Sequence, residues 1–479
     1  MNEHKLFTKR IGLIGITTLL VSLSGIILLP ILTKNLPIEE YGAWTLIGVT
    51  IGLIPAVVML GLPYTMVRFL SAAKKREEIQ EGFYSIAFIV LFTSAIASLL
   101  LLLFSKPIAA SLFDDNLTIA RILPLIVFIE CLNGLLLNFF RTFQQIKRYS
   151  IFLFIKTYLN VALVAYFVLS GYGIFGAVTG LLITDLIVFL IMASLTIAEI
   201  GIKIPKFTDT KEYLAFGLPT VPGNLSSWIV NSSDRYVIGV FLGTAFVGYY
   251  SPSYALGSMI LMFLAPLSFM LPVVLSKYYD ENNMNEVKTV LRYSLKYFLL
   301  LAIPATFGLS LLSKPILTIL STPEIASQGY LVTPFVAVSA LLFGIYATFH
   351  YIIILEKKTK IVGAIWIMAA ILNLGLNIVV VPCMGILGAA ITTLLAFAFA
   401  LILTSFYSHK YFTFDIDFRF ILKSIFASVA MSLVIIKWNP VGTLNVLIVI
   451  GVCAVVYAVI LLLLGGINKE EIAFFRELF

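Results

Sequence analysis

The chain has little charge, little cysteine and little histidine for its length. Only 12% of its 479 residues are charged, whereas soluble domains average about 25%. That shortage excludes an ordinary water-soluble globule. There are three cysteines, Cys131, Cys383 and Cys453, far apart and each inside an apolar run. No CxxC or metal-ligand spacing occurs, so they read as small buried apolar residues and no metal site is expected. Three histidines, no Walker loop and no Ser-His-Asp arrangement give enzyme chemistry little support, and short loops leave almost no surface for a catalytic domain. The expectation is a protein that is not an enzyme and needs no cofactor. Without a nucleotide site, any driving force is an ion gradient or the substrate's own imbalance.

What the chain has in abundance is uncharged apolar sequence. Hydrophobic residues make up 61% of it, in runs long enough for the roughly 20 residues that a membrane-crossing helix needs. Only helices and closed barrels satisfy their backbone groups in lipid. Barrel strands alternate polar and apolar residues; the runs 86–104 and 446–464 do not. The reading is therefore an all-α polytopic membrane protein. About 14 spans are placed at 11–33, 44–66, 83–104, 119–140, 151–170, 174–196, 214–241, 246–275, 291–312, 330–355, 361–381, 386–406, 420–437 and 443–465. The first run, preceded by Lys5, Lys9 and Arg10, is too long for a signal peptide and is read as a span.

The loops carry a topology signal. With the N-terminus inside, 26 of the 32 Lys and Arg residues fall on the inner side. Only Lys34, Lys106, Arg121, Lys314 and Lys437 fall outside, and Arg235 lies within a span. This positive-inside bias predicts a cytoplasmic membrane protein with both termini in the cytoplasm. It also accounts for the net charge of +8 without a nucleic-acid partner.

An internal repeat organises the spans. Ser105–Ile108 (SKPI) recurs at Ser313–Ile316, and Gly173–Thr179 (GIFGAVT) recurs at Gly385–Thr392 (GILGAAIT). Lys147 and Asn160 match Lys360 and Asn373, and Leu36 to Gly42 matches Leu242 to Gly248. The offsets are similar and the order is kept, which indicates one duplication of a six-helix unit. An even unit gives parallel repeats, with a site expected between them near the bilayer midplane. The expected domains are 1–207, 208–412, and 413–479 for two extra spans and a short cytoplasmic tail.

Ionisable groups deep in a membrane mark function by default. Glu130 in the fourth span, Asp185 in the sixth, and Asp234 with Arg235 in the seventh stand out. Asn224, Ser227, Asn231 and Asp234 recur at spacings that put them on one helical face, with Arg235 beside them. Pro219 and Pro222 should loosen the start of that helix. The stripe either lines a cavity or forms a bonded seam in which Asp234 and Arg235 neutralise each other. Glu130, which shares a face with Asn133, and Asp185 are candidates for ion coupling; the alternative is a protonated acid bonded to a neighbour. Arg68 and Lys156 are read as snorkelling to the interface, and His350 as an interfacial side chain. Asn373 and Asn377 are expected to bond across helices, with a place in the cavity lining as the alternative.

Three segments carry a family likeness: LPIEEYGAWTLIGVTIGLIPAVVMLGLPYTMVRFL at Leu36–Leu70, NFFRTFQQIKRYSIFLFIKTYLN at Asn138–Asn160, and FGLPTVPGNLSSWIVNSSDRYVIGVFLGTAFVGYYS at Phe216–Ser251. They resemble polysaccharide exporters of the Wzx type, flippases of O-antigen and other lipid-linked oligosaccharides, over roughly residues 5–470. The resemblance implies the fold of multidrug and toxin extruders and lipid II flippases, two six-helix lobes in a V that alternate between inward-open and outward-open. It implies a polyprenyl-diphosphate-linked oligosaccharide as substrate, moved from the inner to the outer leaflet. Membrane lipids and other polysaccharide-assembly membrane proteins are the expected partners. On that reading the polar stripe bonds the sugars, Arg235 meets the phosphates, and Arg68 meets them at the inner leaflet. Few cations lie deep in the helices, fewer than so anionic a substrate would favour. Two rivals stand beside it: a cation-coupled small-molecule efflux antiporter on the same fold, and a non-transporting scaffold of a glycan-synthesis complex.

Overall fold

The computed structural model describes residues 3–466. They are helical almost throughout, without a strand among them. The chain forms two compact units, Met1–Gly248 and Tyr249–Phe479. The first holds α1 (Glu3–Asn35), α2 (Ile38–Val58), α3 (Leu62–Leu70), α4 (Arg76–Leu103), α5 (Ser105–Leu112), α6 (Leu117–Thr142), α7 (Ile146–Leu169), α8 (Gly173–Ile200), α9 (Thr210–Gly217) and α10 (Val221–Leu242). The division falls within α11 (Thr244–Ser258). The second unit continues with α12 (Ala265–Asp280), α13 (Met284–Leu311), α14 (Ser313–Leu320), α15 (Pro323–Gly329), α16 (Val332–Leu355), α17 (Thr359–Ser408), α18 (Phe418–Trp438) and α19 (Thr443–Leu463).

Eleven described helices are long and apolar enough to cross a bilayer. One of them, α17, is two helices meeting at Gly385, whose φ of 63° and ψ of −150° suit only glycine. The two remaining expected spans are interrupted. Around Pro219 and Pro222 a 3-10 turn, Leu218–Thr220, separates α9 from α10. A second 3-10 stretch, Met259–Phe263, separates α11 from α12. These elements together account for the 14 spans expected. The tail expected after α19 lies outside the described residues.

In the first unit α6 is the most enclosed span. It packs against α4 and α8, while α7 packs against α1 and α8. Side chains such as Leu103 and Phe92 stay exposed at 67% and 57%, as a lipid-facing surface requires. The starts of α2 and α11 lie side by side. A Cβ on Gly42 would fall 1.9 Å from the Thr244 carbonyl oxygen, and one on Gly248 2.6 Å from that of Ile38. These glycines close the matching segments Leu36–Gly42 and Leu242–Gly248. The first packed unit thus ends at Gly248, past the repeat border expected at residue 207.

In the second unit α18 packs against α13 and α19. Ala427, Met431 and Ile435 of α18 join Phe298 and Leu299 of α13 in one buried cluster. Tyr457 of α19 ties the three helices together. Its hydroxyl donates to the Leu300 carbonyl at 2.9 Å and lies 2.9 Å from the Ser424 hydroxyl.

Candidate functional site: a cationic pocket and a buried charge triad

A cavity of about 490 Å³ opens where α2 passes into α3. Gly61, at φ 70°, makes that turn. It comes so close to α9 that a Cβ would fall 2.2 Å from the Gly217 carbonyl oxygen. The Thr65 hydroxyl donates to the Tyr213 carbonyl at 3.1 Å, and the Asn138 amide donates to the Pro63 carbonyl at 2.9 Å. These contacts fix α3 against α6 and α9. Arg68 of α3, Arg141 of α6, Asn138, Tyr64, Phe216 and Asn224 of α10 line the cavity, and none of its lining residues is acidic. Two guanidiniums with amides and a phenol suit a hydrated anion carrying hydroxyls. Arg68 and Asn224 were candidates from sequence. Arg141 was not: it reads there as a topology charge at a span end.

The second constellation lies mid-span. The Lys156 ammonium of α7 contacts the Glu130 carboxylate of α6 and lies 3.3 Å from Oδ1 of Asp185 in α8. The side chains are 17%, 23% and 1% exposed respectively. The Asn133 amide, one turn from Glu130, donates to the Asp185 backbone carbonyl at 3.0 Å. Lys156 therefore does not snorkel, which corrects the sequence reading. Two carboxylates on neighbouring helices offer a stronger partner than the distant interface. Asp185 is not an unpartnered acid either; the lysine lies between it and Glu130. The triad carries one more carboxylate than ammonium.

The polar stripe of α10 changes character along its length. Ser227 is exposed, Asn224 and Asn231 are half-buried, and Asp234 is fully buried. The Arg235 guanidinium donates to Asp234 Oδ1 at 3.0 Å and to the Asn231 carbonyl at 2.8 Å. The Asn231 amide donates to the Ser227 carbonyl at 2.8 Å. Beside the stripe, the Tyr236 hydroxyl lies 2.6 Å from that of Thr50 in α2. Asn224 belongs both to the accessible end of this stripe and to the cationic cavity.

In the second unit the Thr392 hydroxyl donates to Asn377 Oδ1 at 2.9 Å across the Gly385 kink. Asn377 in turn donates to Asn373 Oδ1 at 3.2 Å. Asn377 thus bonds across the two helices that meet at Gly385, as expected, whereas Asn373 bonds within its own helix. His350 is half-buried rather than at an open interface. Its Nδ1 lies 3.2 Å from the Tyr346 hydroxyl, which also accepts from Trp366 Nε1 at 2.7 Å.

The fold is that of a polytopic membrane protein. It superposes on the lipid II flippase MurJ in its inward closed conformation with a TM-score of 0.76, over 93% of this chain and 97% of that one, at 19% identity. It matches an inward-facing multidrug resistance MATE transporter with a TM-score of 0.64, over 83% and 97%, at 18% identity. At these identities the likeness concerns the fold.

The chain belongs to the polysaccharide biosynthesis protein family, whose model matches residues 31–324. Two curated relatives come from Haloferax volcanii. The probable low-salt glycan biosynthesis flippase Agl15 is 22% identical over 248 residues, 52% of each chain. The probable flippase AglR is 29% identical over 182 residues, 37% of each chain. The chain thus matches about half and about a third of the lengths of these relatives.

Proposed function

We propose that this protein is a carrier, not an enzyme, that moves a polyprenyl-diphosphate-linked oligosaccharide from the inner to the outer leaflet of the cytoplasmic membrane by alternating access. The observation that carries the reading is the pocket holding Arg68 and Arg141 with no carboxylate in its lining. A diphosphate-sugar headgroup does not cross about 30 Å of hydrocarbon unaided. It needs guanidiniums for phosphate and amides and hydroxyls for sugar. The pocket supplies both, and the stripe from Asn224 through Ser227 and Asn231 to Asp234 and Arg235 continues from it. With both termini cytoplasmic, as the loop charges favour, Arg68 and Arg141 face the inner leaflet, where such a substrate is loaded. The family and the flippase names of its relatives support the same reading.

Glu130 and Asp185, held by Lys156, are the proposed ion-coupling group. Their net negative charge in a low-dielectric site leaves room for one balancing cation from the coupling gradient, a proton or sodium.

The test is reconstitution into liposomes that carry a fluorescent polyprenyl-diphosphate oligosaccharide. Leaflet exchange faster than in empty liposomes, and slowed by Arg141→Ala, is the expected result. No exchange by folded protein would overturn the reading and favour small-molecule efflux. Exchange indifferent to both a pH gradient and a sodium gradient would remove the triad from coupling.

A further inference from the structure

We propose that a second cavity, at the end of the membrane where α18 begins and α19 ends, holds the phosphate headgroup of an anionic phospholipid. The site goes beyond the transport reading; its assignment to the inner leaflet rests on the cytoplasmic placement of the termini.

The cavity has a volume of about 590 Å³, within the usual range for a small-molecule site. Three cations from two helices converge on it: Arg292 from the third turn of α13, and Arg419 and Lys423 from the start of α18. None of the three is in an ion pair with a described carboxylate. Arg292 and Arg419 are exposed. The Lys423 ammonium donates to the Gly465 carbonyl at 3.0 Å, which pins the end of α19 to the site. Lys296, one turn along α13 from Arg292, sits with its ammonium 5.2 Å from the Phe420 ring centre.

Two acids share the lining, Asp415 and Asp417. Asp417 is engaged as the cap of α18, accepting from the Phe420 amide at 2.9 Å. Asp415 is exposed and suits a headgroup that presents hydroxyl donors beside its phosphate.

What commits the site to a lipid is the surface that leads away from it. Phe418 lines the cavity and is 67% exposed; Leu422 and Phe426, at 68% and 62%, follow it at four-residue spacing along the outer face of α18. Four-residue steps share one helical face. A phosphate in the cavity would thus lay its acyl chains along an apolar track. A free anion has no use for such a track. Cationic side chains near a membrane surface each strengthen anionic-lipid binding roughly fivefold.

The experiment is native mass spectrometry of the full chain purified with an equal mixture of phosphatidylglycerol and phosphatidylcholine. Wild-type protein should retain phosphatidylglycerol preferentially. The variant Arg292→Gln/Arg419→Gln/Lys423→Gln should lose that preference, and Arg419→Gln alone should weaken it roughly fivefold, which keeps the test open if the triple variant misfolds. Lys288→Gln, on the same helix but outside the cavity, should leave it unchanged. Retention by Arg419→Gln at the wild-type level would overturn the proposal. So would release by millimolar inorganic phosphate, which would mark a soluble-anion site, or one-for-one displacement by polyprenyl diphosphate, which would assign the cavity to the transported lipid. Lipid retention is read without transport, so failure here and failure of flipping are separate results.

Discussion

The Lys156 ammonium lies 3.3 Å from the Asp185 carboxylate and also contacts Glu130, joining α6, α7 and α8 through one side chain. Buried charges persist only when compensated. Removing one partner of a buried ion pair costs about 3–5 kcal/mol, because the other stays behind uncompensated. Lys156→Met should therefore lower the thermal stability of the purified protein by an amount of that order. Adding Glu130→Gln and Asp185→Asn should recover most of it. If Lys156→Met melts with the wild type, the triad does not hold these helices together.

Arg141→Ala and Arg68→Ala should each slow leaflet exchange, with little effect on folding, since both side chains are exposed. A hydrogen bond to a charged group is worth about 1.5–3 kcal/mol, or roughly a 10- to 150-fold change in apparent substrate affinity. The concentration dependence of exchange reads this out. A variant that saturates at the wild-type concentration has lost no phosphate contact.

Asp234→Ala should behave differently from Arg68→Ala. The carboxylate is fully buried and Arg235 donates to it, so the first loss is one of stability, about 2–4 kcal/mol. Arg235→Gln should cost at least as much, because it removes the guanidinium from a carboxylate that is 1% exposed, whereas Asp234→Ala leaves a guanidinium side chain that is 11% exposed. Normal yield and melting for Asp234→Ala, with transport abolished, would instead assign the carboxylate to substrate.

Gly61→Ala should deform the cavity without touching any lining charge. A left-handed backbone costs a non-glycine residue about 1–2 kcal/mol, and the added Cβ would meet the Gly217 carbonyl oxygen at 2.2 Å. Gly223→Ala, with open space around its Cβ position, is the matched control. Equal melting temperatures for the two variants would show that the α3–α9 contact does not carry stability.

The spans were legible because lipid imposes one rule on every one of them: about 20 apolar residues with backbone groups satisfied within the helix. The break before α10 was legible too, since Pro219 and Pro222 announce it. The break at Met259–Phe263 was not; it lies in an apolar run, and Pro266 only follows it. The acidic residues of the triad were visible as intramembrane charges, but their partnership was not. Lys156 pairs with residues on two other helices, and linear sequence carries no distance between helices. One signal was present: Lys156 sits well inside α7, too far from its start for easy snorkelling. Arg141 was hidden by the topology signal, which gives every inner cation a sufficient reason to be there. Only the turn at Gly61, which brings Arg68 near it, gives it a second.

The hydrogen bonds of Tyr457 to Leu300 and near Ser424 have a practical consequence for watching this molecule work. They tie α13, α18 and α19 to one another through one ring. A fluorophore or spin label placed at the far end of α19, at Leu444, would then register any tilt of α13 without intruding on either cavity. Tyr457→Phe should weaken that readout, because the tether to Leu300 would be gone while the apolar packing of the three helices remained.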